Sequence, residues 1–129
     1  MPSRRIVIDH LSIGVSDLAA SRAFYLAALA PLGFVEQGPW SEGAHEVGFG
    51  PPGLDDFWIS TLHEPGDAHV AFAADSREQV DAFHRAALAA GGRDNGAPGP
   101  RSEYSPGYYG AFVLDPDGHN VEAVFHAEA

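Results

Sequence analysis

Three side chains of this sequence are of types that can bind a divalent metal ion together: His10, His69 and Glu122. Neutral imidazole nitrogens and carboxylate oxygens are common ligands of Fe²⁺, Mn²⁺ and Zn²⁺. A set of two histidines and one carboxylate also leaves coordination positions of the metal free for a substrate. The two histidines are the reason to consider the set, because they occupy the same place in an internal repeat.

The repeat has two copies in phase with each other. Residues 10–34, shifted by 59 positions, align with residues 69–93 without a gap, and eight of the 25 aligned positions are identical. Two such copies usually form two packed copies of one supersecondary unit. If a pseudo-twofold axis relates the copies, we expect His10 and His69 to face each other near that axis.

Glu122 lies in the predicted last strand, between Val121 and Ala123, which are residues of a type found in a protein core. A carboxylate beside such residues needs a charged or hydrogen-bonding partner. A metal ion is one such partner, and an arginine is another. A histidine in a strand is also more often a hydrogen-bonded core residue than a ligand. The metal assignment therefore depends on all three residues together.

Each copy of the repeat is predicted to fold as β-α-β-β-β, since apolar residues alternate in the strands and recur at helical spacing between them. In the first copy the predicted elements are strands at residues 6–15, 34–37, 45–49 and 57–62, and a helix capped by Ser16 or Asp17 that ends near residue 30. In the second copy they are strands at residues 68–74, 108–114 and 120–125, and a helix opened by the capping box of Ser76 and Gln79. Residues 94–106, rich in glycine and proline, are predicted as a loop with room for a short strand near Arg93.

The length predicts one domain over residues 1–129, and the two β-α-β-β-β copies predict an α+β fold with a first module at about 5–64 and a second at about 67–126. The formal net charge of −11 argues against a nucleic-acid partner. The chain has no cysteine, which excludes a disulfide and a thiolate ligand. No signal segment or apolar run long enough for a bilayer is visible, so we expect a cytoplasmic protein with no membrane partner.

Four segments of the chain are similar to the vicinal oxygen chelate superfamily, which contains glyoxalases, extradiol dioxygenases and bleomycin-resistance proteins. They are DHLSIGVSD at residues 9–17, SRAFY at 21–25, AHVAF at 68–72 and DPDGHNVE at 115–122. The resemblance implies two βαβββ modules related by a pseudo-twofold axis, forming a cupped mixed sheet around a metal-binding cavity. It also implies that His10, His69 and Glu122 are the metal ligands, that the substrate is a small molecule with vicinal oxygens, and that the chain forms a homodimer.

One position departs from the pattern of glyoxalase I. Matching residues 57–58 to residues 121–122 places Trp58 where that enzyme has a fourth, carboxylate ligand, and tryptophan cannot bind the metal. We therefore predict a dioxygenase, lyase or transferase rather than a true glyoxalase I. The alternative is a metal-free protein that binds a drug or antibiotic, as bleomycin-resistance proteins do; retention of the three ligand residues favours the enzyme. The runner-up fold is a ferredoxin-like pair of modules.

Other residues are assigned weaker roles around the metal. The candidate catalytic residues are His45, His63, Tyr108 and Tyr109. The residues predicted to bind the substrate are Trp58, Phe49, Tyr104 and Arg101. His119 adjoins the metal-ligand strand but lies on a turn, and we predict that its ring bonds to the backbone.

Overall fold

The computed structural model describes residues 7–37 and 41–127, and these contain eight strands, two α-helices and a short 3₁₀ helix at Ala30–Leu32. The first half of the chain holds β1 (Leu11–Gly14), α1 (Leu18–Leu29), β2 (Val35–Gln37), β3 (Glu46–Gly50) and β4 (Phe57–Ser60). The second half holds β5 (His69–Ala73), α2 (Arg77–Ala89), β6 (Arg93–Pro100), β7 (Tyr108–Leu114) and β8 (Asn120–His126). The order β-α-β-β-β thus occurs twice, and the predicted α+β fold is confirmed. We call the two halves the first and second module.

Each module forms its own four-stranded mixed sheet, and the two sheets do not close into one barrel. The strand orders are β1-β4-β3-β2 and β5-β8-β7-β6. In each sheet the first strand runs parallel to the last one, and the other pairs are antiparallel. Strands β1 and β5 are therefore edge strands at equivalent places in the two sheets.

The pairing of the strands preserves the repeat seen in the sequence. Ser12 pairs with Trp58 in the first module, and Ala71 pairs with Glu122 in the second. Since Ser12 and Ala71 are 59 positions apart, Trp58 and Glu122 occupy equivalent positions in the two sheets. The match of residues 57–58 to residues 121–122 is thereby confirmed.

One face of each sheet packs against the helices, and both packed faces contribute to a single core. Alternate residues of a strand point to opposite faces, so each strand turns every second residue toward the helices. Phe57 of the first sheet contacts Phe72 of the second edge-on, with ring centroids 5.0 Å apart. The buried core residues from the strands include Ile13, Val47, Phe49, Phe57, Ile59, Val70, Phe72, Ala111, Val113, Val121 and Ala123. We call the opposite face of each sheet, turned away from the helices, its open face.

Side-chain caps define the start of both helices. Asp17 accepts a hydrogen bond from the amide of Ala20 at 3.1 Å, and Ser76 accepts one from the amide of Gln79 at 3.2 Å. The side chain of Gln79 accepts in return from the amide of Asp75 at 2.7 Å. These bonds satisfy amides that have no partner inside the helix. Among the described residues, neither helix is long and apolar enough to cross a membrane.

Two predicted elements differ from the structure. Part of the predicted loop is the strand β6, which lies at the edge of its sheet and pairs with β7 through two register shifts. An edge strand with bulges tolerates glycine and proline, which the composition alone does not reveal. Strand β1 begins only at Leu11; the predicted start at residue 6 lies outside the described residues. His10 consequently precedes the strand.

The turn between β7 and β8 fastens the second module to the first. Asp115 is buried, and its Oδ2 accepts a hydrogen bond from the hydroxyl of Tyr25 on α1 at 2.5 Å. Its Oδ1 accepts from the amides of Asp117 and His119, which holds the turn in shape. Burial, together with the charge of Asp115, raises the pKa of Tyr25 well above its ordinary value of 10.0. The hydroxyl therefore remains a donor up to strongly alkaline pH.

His119 is a second tie between the modules. Its ring is buried; Nε2 donates to the carbonyl of Gly14 at 2.7 Å, and Nδ1 accepts from the amide of Ala68 at 3.0 Å. The ring thus joins the end of β1 to the residue that precedes β5. The prediction that this histidine bonds to the backbone is confirmed.

Candidate functional site

A histidine and a glutamate meet on the open face of the second module. His69 Nε2 lies 2.8 Å from Glu122 Oε1. Glu122 has 1% of its side chain exposed, and His69 has 54%. Because Val121 and Ala123 enter the core, the parity of β8 turns Glu122 to the other side. The parallel pairing of β5 with β8 then brings His69 beside it.

Tyr108 completes this group from the neighbouring strand β7. Its hydroxyl donates a hydrogen bond to Glu122 Oε2, the oxygen that His69 does not contact. Burial raises the pKa of Tyr108, and the hydrogen bond to Glu122 raises it further. The hydroxyl therefore keeps its proton at neutral pH. Both oxygens of Glu122 are therefore occupied, one by an imidazole and one by a phenol.

An arginine and an aromatic ring lie next to the group. Phe112 pairs directly with Glu122 across the strands, and the guanidinium of Arg101 sits 5.5 Å from the centre of the Phe112 ring. The carbonyls of Ala97 and Pro100 accept hydrogen bonds from the guanidinium at 2.8 and 3.3 Å. Arg101 is thus held in place as a cation at the border of the site, where an anionic or polar ligand group could meet it.

The equivalent position of the first module holds Trp58. Its neighbours Phe57 and Ile59 are buried among the helices, which places the indole on the open face. Its partner across the strands is Gly48, where an added Cβ would lie 2.8 Å from the indole ring. Only a residue without a side chain lets the ring lie against β3. The first module therefore presents a flat aromatic surface where the second presents a carboxylate.

His10 does not join His69 and Glu122 within one chain. Its side chain is 60% exposed, and Nδ1 lies 2.8 Å from Asp9 Oδ1, a hydrogen bond that raises the pKa of His10. Within residues 7–37 and 41–127, no three His, Cys, Asp or Glu side chains are arranged to hold a metal ion. The expected meeting of all three ligands in a single chain is not observed, because His10 lies before β1 rather than on it.

Two other expected site residues point away from this group. Phe49 is 1% exposed and packs in the core against Tyr25 and Phe57, so it cannot line a substrate cavity on the open face. Tyr109 follows Tyr108 and faces the helices, where its hydroxyl donates to Asp81 of α2 at 2.7 Å. Both corrections follow from the alternation of side chains along a strand.

The remaining candidates lie at the periphery. Tyr104 is mostly exposed and contacts the ring of Tyr108 edge-on at 5.1 Å. His45 and His63 are exposed, and His63 shares a cleft of about 490 Å³ with His69 and His119 between the two modules.

The sequence analysis gives Tyr108 only as one of four catalytic candidates. Tyr108 has the same strand parity as Phe112, which places both on the open face of β7. The pairing of β7 with β8 then brings Tyr108 to Glu122.

A family model and similar proteins were found for this chain. A profile of the Glyoxalase/Bleomycin resistance protein/Dioxygenase superfamily matches residues 7–123. Protein YqjT of Bacillus subtilis (strain 168) is 32% identical over 130 residues, which cover 91% of this chain and 97% of that protein. The crystal structure of a glyoxalase/bleomycin resistance protein from Albidiferax ferrireducens T118 is 34% identical, with a TM-score of 0.74, and the match covers 92% of this chain and 98% of that one.

A more distant structural neighbour carries the name of an enzyme. It is lactoylglutathione lyase from Agrobacterium tumefaciens, which is 20% identical to this chain, with a TM-score of 0.67 and coverage of 96% and 95% of the two chains. A likeness at that identity shows a shared fold and no shared reaction.

Proposed function

Because the chain belongs to the Glyoxalase/Bleomycin resistance protein/Dioxygenase superfamily, we propose that it is a divalent-metal-dependent enzyme acting on a small, vicinally oxygenated molecule. The observation that carries this proposal is the contact between His69 and Glu122 on the open face of the second module. A half-exposed histidine that meets a buried carboxylate is a usual beginning of a metal site.

The two side chains fit a metal ion in both chemistry and spacing. Ligand atoms at about 2.0–2.2 Å from one ion lie roughly 3 Å apart, and His69 Nε2 and Glu122 Oε1 are separated by 2.8 Å. Fe²⁺, Mn²⁺ and Zn²⁺ all accept this pair of donors. When bound, such an ion supplies a Lewis acid that polarises a substrate oxygen. The chain itself supplies the anchored Arg101 and the aromatic surfaces of Phe112 and Trp58, which suit a flat, polar substrate.

The third ligand is proposed to be His10 from a second copy of the chain in a homodimer. Val7 and Ile8, just before His10, are 75% and 72% exposed, and exposed apolar side chains of this kind mark interaction surfaces. A histidine whose Nδ1 is held by a carboxylate, as Asp9 holds His10, offers Nε2 to a metal. A partner that covers the segment before β1 would bring this imidazole close to the open face of the second module.

The experiment for this proposal combines metal titration with a mixture of variants. Wild-type protein should bind one Mn²⁺ or Zn²⁺ per chain in isothermal titration calorimetry. Its molar mass in light scattering should be that of a dimer. His10→Ala and Glu122→Gln should each bind weakly. Unfolding and refolding the two variants together should restore tight sites in a fraction of the dimers. If the mixture binds no better than its components, His10 does not reach the site of a partner.

The reaction is proposed to be that of a dioxygenase, lyase or transferase rather than of glyoxalase I. Trp58 stands where a carboxylate would be needed as a fourth ligand and base, and its indole cannot accept a proton at neutral pH. Fe²⁺-loaded protein should therefore be screened with catechols under air. The hemithioacetal of methylglyoxal and glutathione should be turned over no faster than without the protein; turnover at an enzymatic rate would reject this assignment.

A metal-free binding protein is the second candidate. In its favour, the two oxygens of Glu122 are already satisfied by His69 and Tyr108, so the group is stable without an ion. On this alternative, aromatic or cationic ligands should raise the melting temperature in the presence of EDTA, and added metal should have no effect on it.

A further inference from the structure

We propose that Tyr108 is a positioning residue, which holds Glu122 so that only Oε1 is presented beside His69. This inference rests on the proposed function, since it concerns the way in which the pair receives a metal ion. Strand parity places Tyr108 on the same face as Phe112 and Tyr109 on the other, but parity does not show which group each hydroxyl meets. The assignment depends on the contacts of the two hydroxyl groups.

The first support is the hydrogen bond to Glu122 itself. Glu122 is almost fully buried, and its Oε2 receives the hydroxyl of Tyr108. A carboxylate held in this way cannot rotate about its last bond without leaving one buried oxygen unpaired. Oε1 therefore keeps a fixed direction toward His69, and the carboxylate is restricted to a single ligand oxygen.

The second support is that the sheet is shaped to let the phenol reach the carboxylate. Gly110 lies between Tyr108 and Phe112 on the open face of β7. A Cβ at Gly110 would lie 3.2 Å from Glu122 Oε2 and 3.2 Å from the Tyr108 ring. A side chain at this position would crowd the hydrogen bond from both sides, and glycine leaves the path open.

The third support is that the Tyr108 ring is itself held. Tyr104 and His126 contact it edge-on, each with a ring centroid at 5.1 Å. Such pairs fix the plane of an aromatic ring beyond simple burial. The hydroxyl that meets Glu122 is thus carried by a ring with contacts on two sides, as a supporting residue for a ligand requires.

The adjacent residue provides a matched control. Tyr109 also donates its hydroxyl to a carboxylate, Asp81, but on the helix side of the same strand. Tyr108→Phe and Tyr109→Phe therefore each remove one oxygen atom and one hydrogen bond of the same type. They differ in which carboxylate loses its donor.

The experiment compares the two variants with the wild type in Mn²⁺ affinity and in the visible spectrum of bound Co²⁺. Y108F should bind Mn²⁺ about 10- to 100-fold more weakly, the usual effect of removing a partner of a metal ligand. Its Co²⁺ spectrum should shift, because Oε2 becomes able to coordinate. Y109F should match the wild type in both measurements, even if its melting temperature falls.

Each outcome has a distinct meaning. A wild type that binds neither ion rejects the proposed function and this assignment with it. If the wild type binds Mn²⁺ tightly and Y108F binds it equally well or more tightly, the role of Tyr108 is rejected and the proposed function is not. If Y108F does not fold, Gly110→Ala serves in its place and should weaken Mn²⁺ binding relative to Y109F; unchanged binding would overturn the assignment.

Discussion

The open faces of the two modules share one backbone arrangement and carry opposite chemistry. Trp58 and Glu122 occupy equivalent ladder positions, opposite Gly48 and Phe112 respectively. In the first module the large side chain is on the last strand, and the small residue is on its neighbour. In the second module the carboxylate is on the last strand, and the large ring is on the neighbour. One face offers an aromatic surface, and the other offers a polar group.

The difference shows which part of the repeat the fold requires. The buried faces must keep apolar residues, because the packing of both sheets and both helices in one core depends on them. The open faces carry no such requirement, so equivalent positions can hold tryptophan and glutamate. The two open faces therefore differ in a few residues of one parity, carried by the same arrangement of strands.

The largest expected effect concerns His119, whose two hydrogen bonds join the first module to the second. His119→Ala leaves the carbonyl of Gly14 and the amide of Ala68 without their partner, and we expect a loss of about 3 kcal/mol in the free energy of unfolding. Urea unfolding followed by circular dichroism measures it. The exposed His45→Ala is the control and should change little. A loss for His119→Ala no larger than that of the control would show that the modules are held together elsewhere.

Trp58→Glu makes the two faces alike and sharpens the comparison. The variant places a carboxylate where the second module has Glu122, and on the proposed dimer it adds a ligand to the metal. We expect Mn²⁺ affinity to rise about tenfold, the scale of one charged contact. Binding of aromatic ligands should weaken, because the indole surface is lost. Trp58→Phe separates the two effects, since it should leave metal affinity unchanged. Unchanged Mn²⁺ affinity in Trp58→Glu would place Trp58 away from the metal.

The bond between Tyr25 and Asp115 predicts a stability change at alkaline pH. The pKa of Tyr25 is raised in the folded protein, so its contribution is present below pH 10, the ordinary pKa, and is lost as the pH rises above that value. Tyr25→Phe should lower stability at neutral pH by about 1–2 kcal/mol and should make the alkaline decline shallower. Urea midpoints from pH 7 to 11, with Tyr104→Phe as an exposed control, measure both. An unchanged alkaline slope would contradict the assignment.

The smallest expected effect is optical. If Trp58 lines the site, added Cu²⁺ should quench part of the tryptophan emission, and Trp58→Phe should abolish that part. Trp40 lies outside the described residues, and Trp40→Phe should retain the quenching. Quenching that survives Trp58→Phe at full amplitude would remove Trp58 from the vicinity of the metal.

Much of the fold was predictable because its signals are local. The 59-residue repeat gave the order of elements, and the helix caps at Asp17 and Ser76 follow from short-range hydrogen bonds. The parity of β8 predicted that Glu122 lies opposite core residues. These features depend on alternation and capping, which a sequence displays directly.

The arrangement of the site was less predictable because it depends on where strands begin and how they pair. Parity could not show that β1 starts after His10, and so the expected three-ligand group does not form in one chain. Phe49 lies in the core and not at the site, because it shares the parity of Val47 on β3, and the sequence of so short a strand does not mark which parity is buried. Tyr108 could be identified only after the pairing of β7 with β8 placed its hydroxyl on Glu122.

The most direct test of the central claim is the Mn²⁺ affinity of Glu122→Gln compared with that of Glu36→Gln. Both variants remove one negative charge from a strand carboxylate with a basic partner, and Glu36 pairs with Arg22 in the first module. On our account Glu122→Gln stays folded and loses at least about 100-fold in affinity, roughly 3 kcal/mol, while Glu36→Gln binds as the wild type does. Equal affinities of the two variants would show that the open face of the second module does not bind the metal.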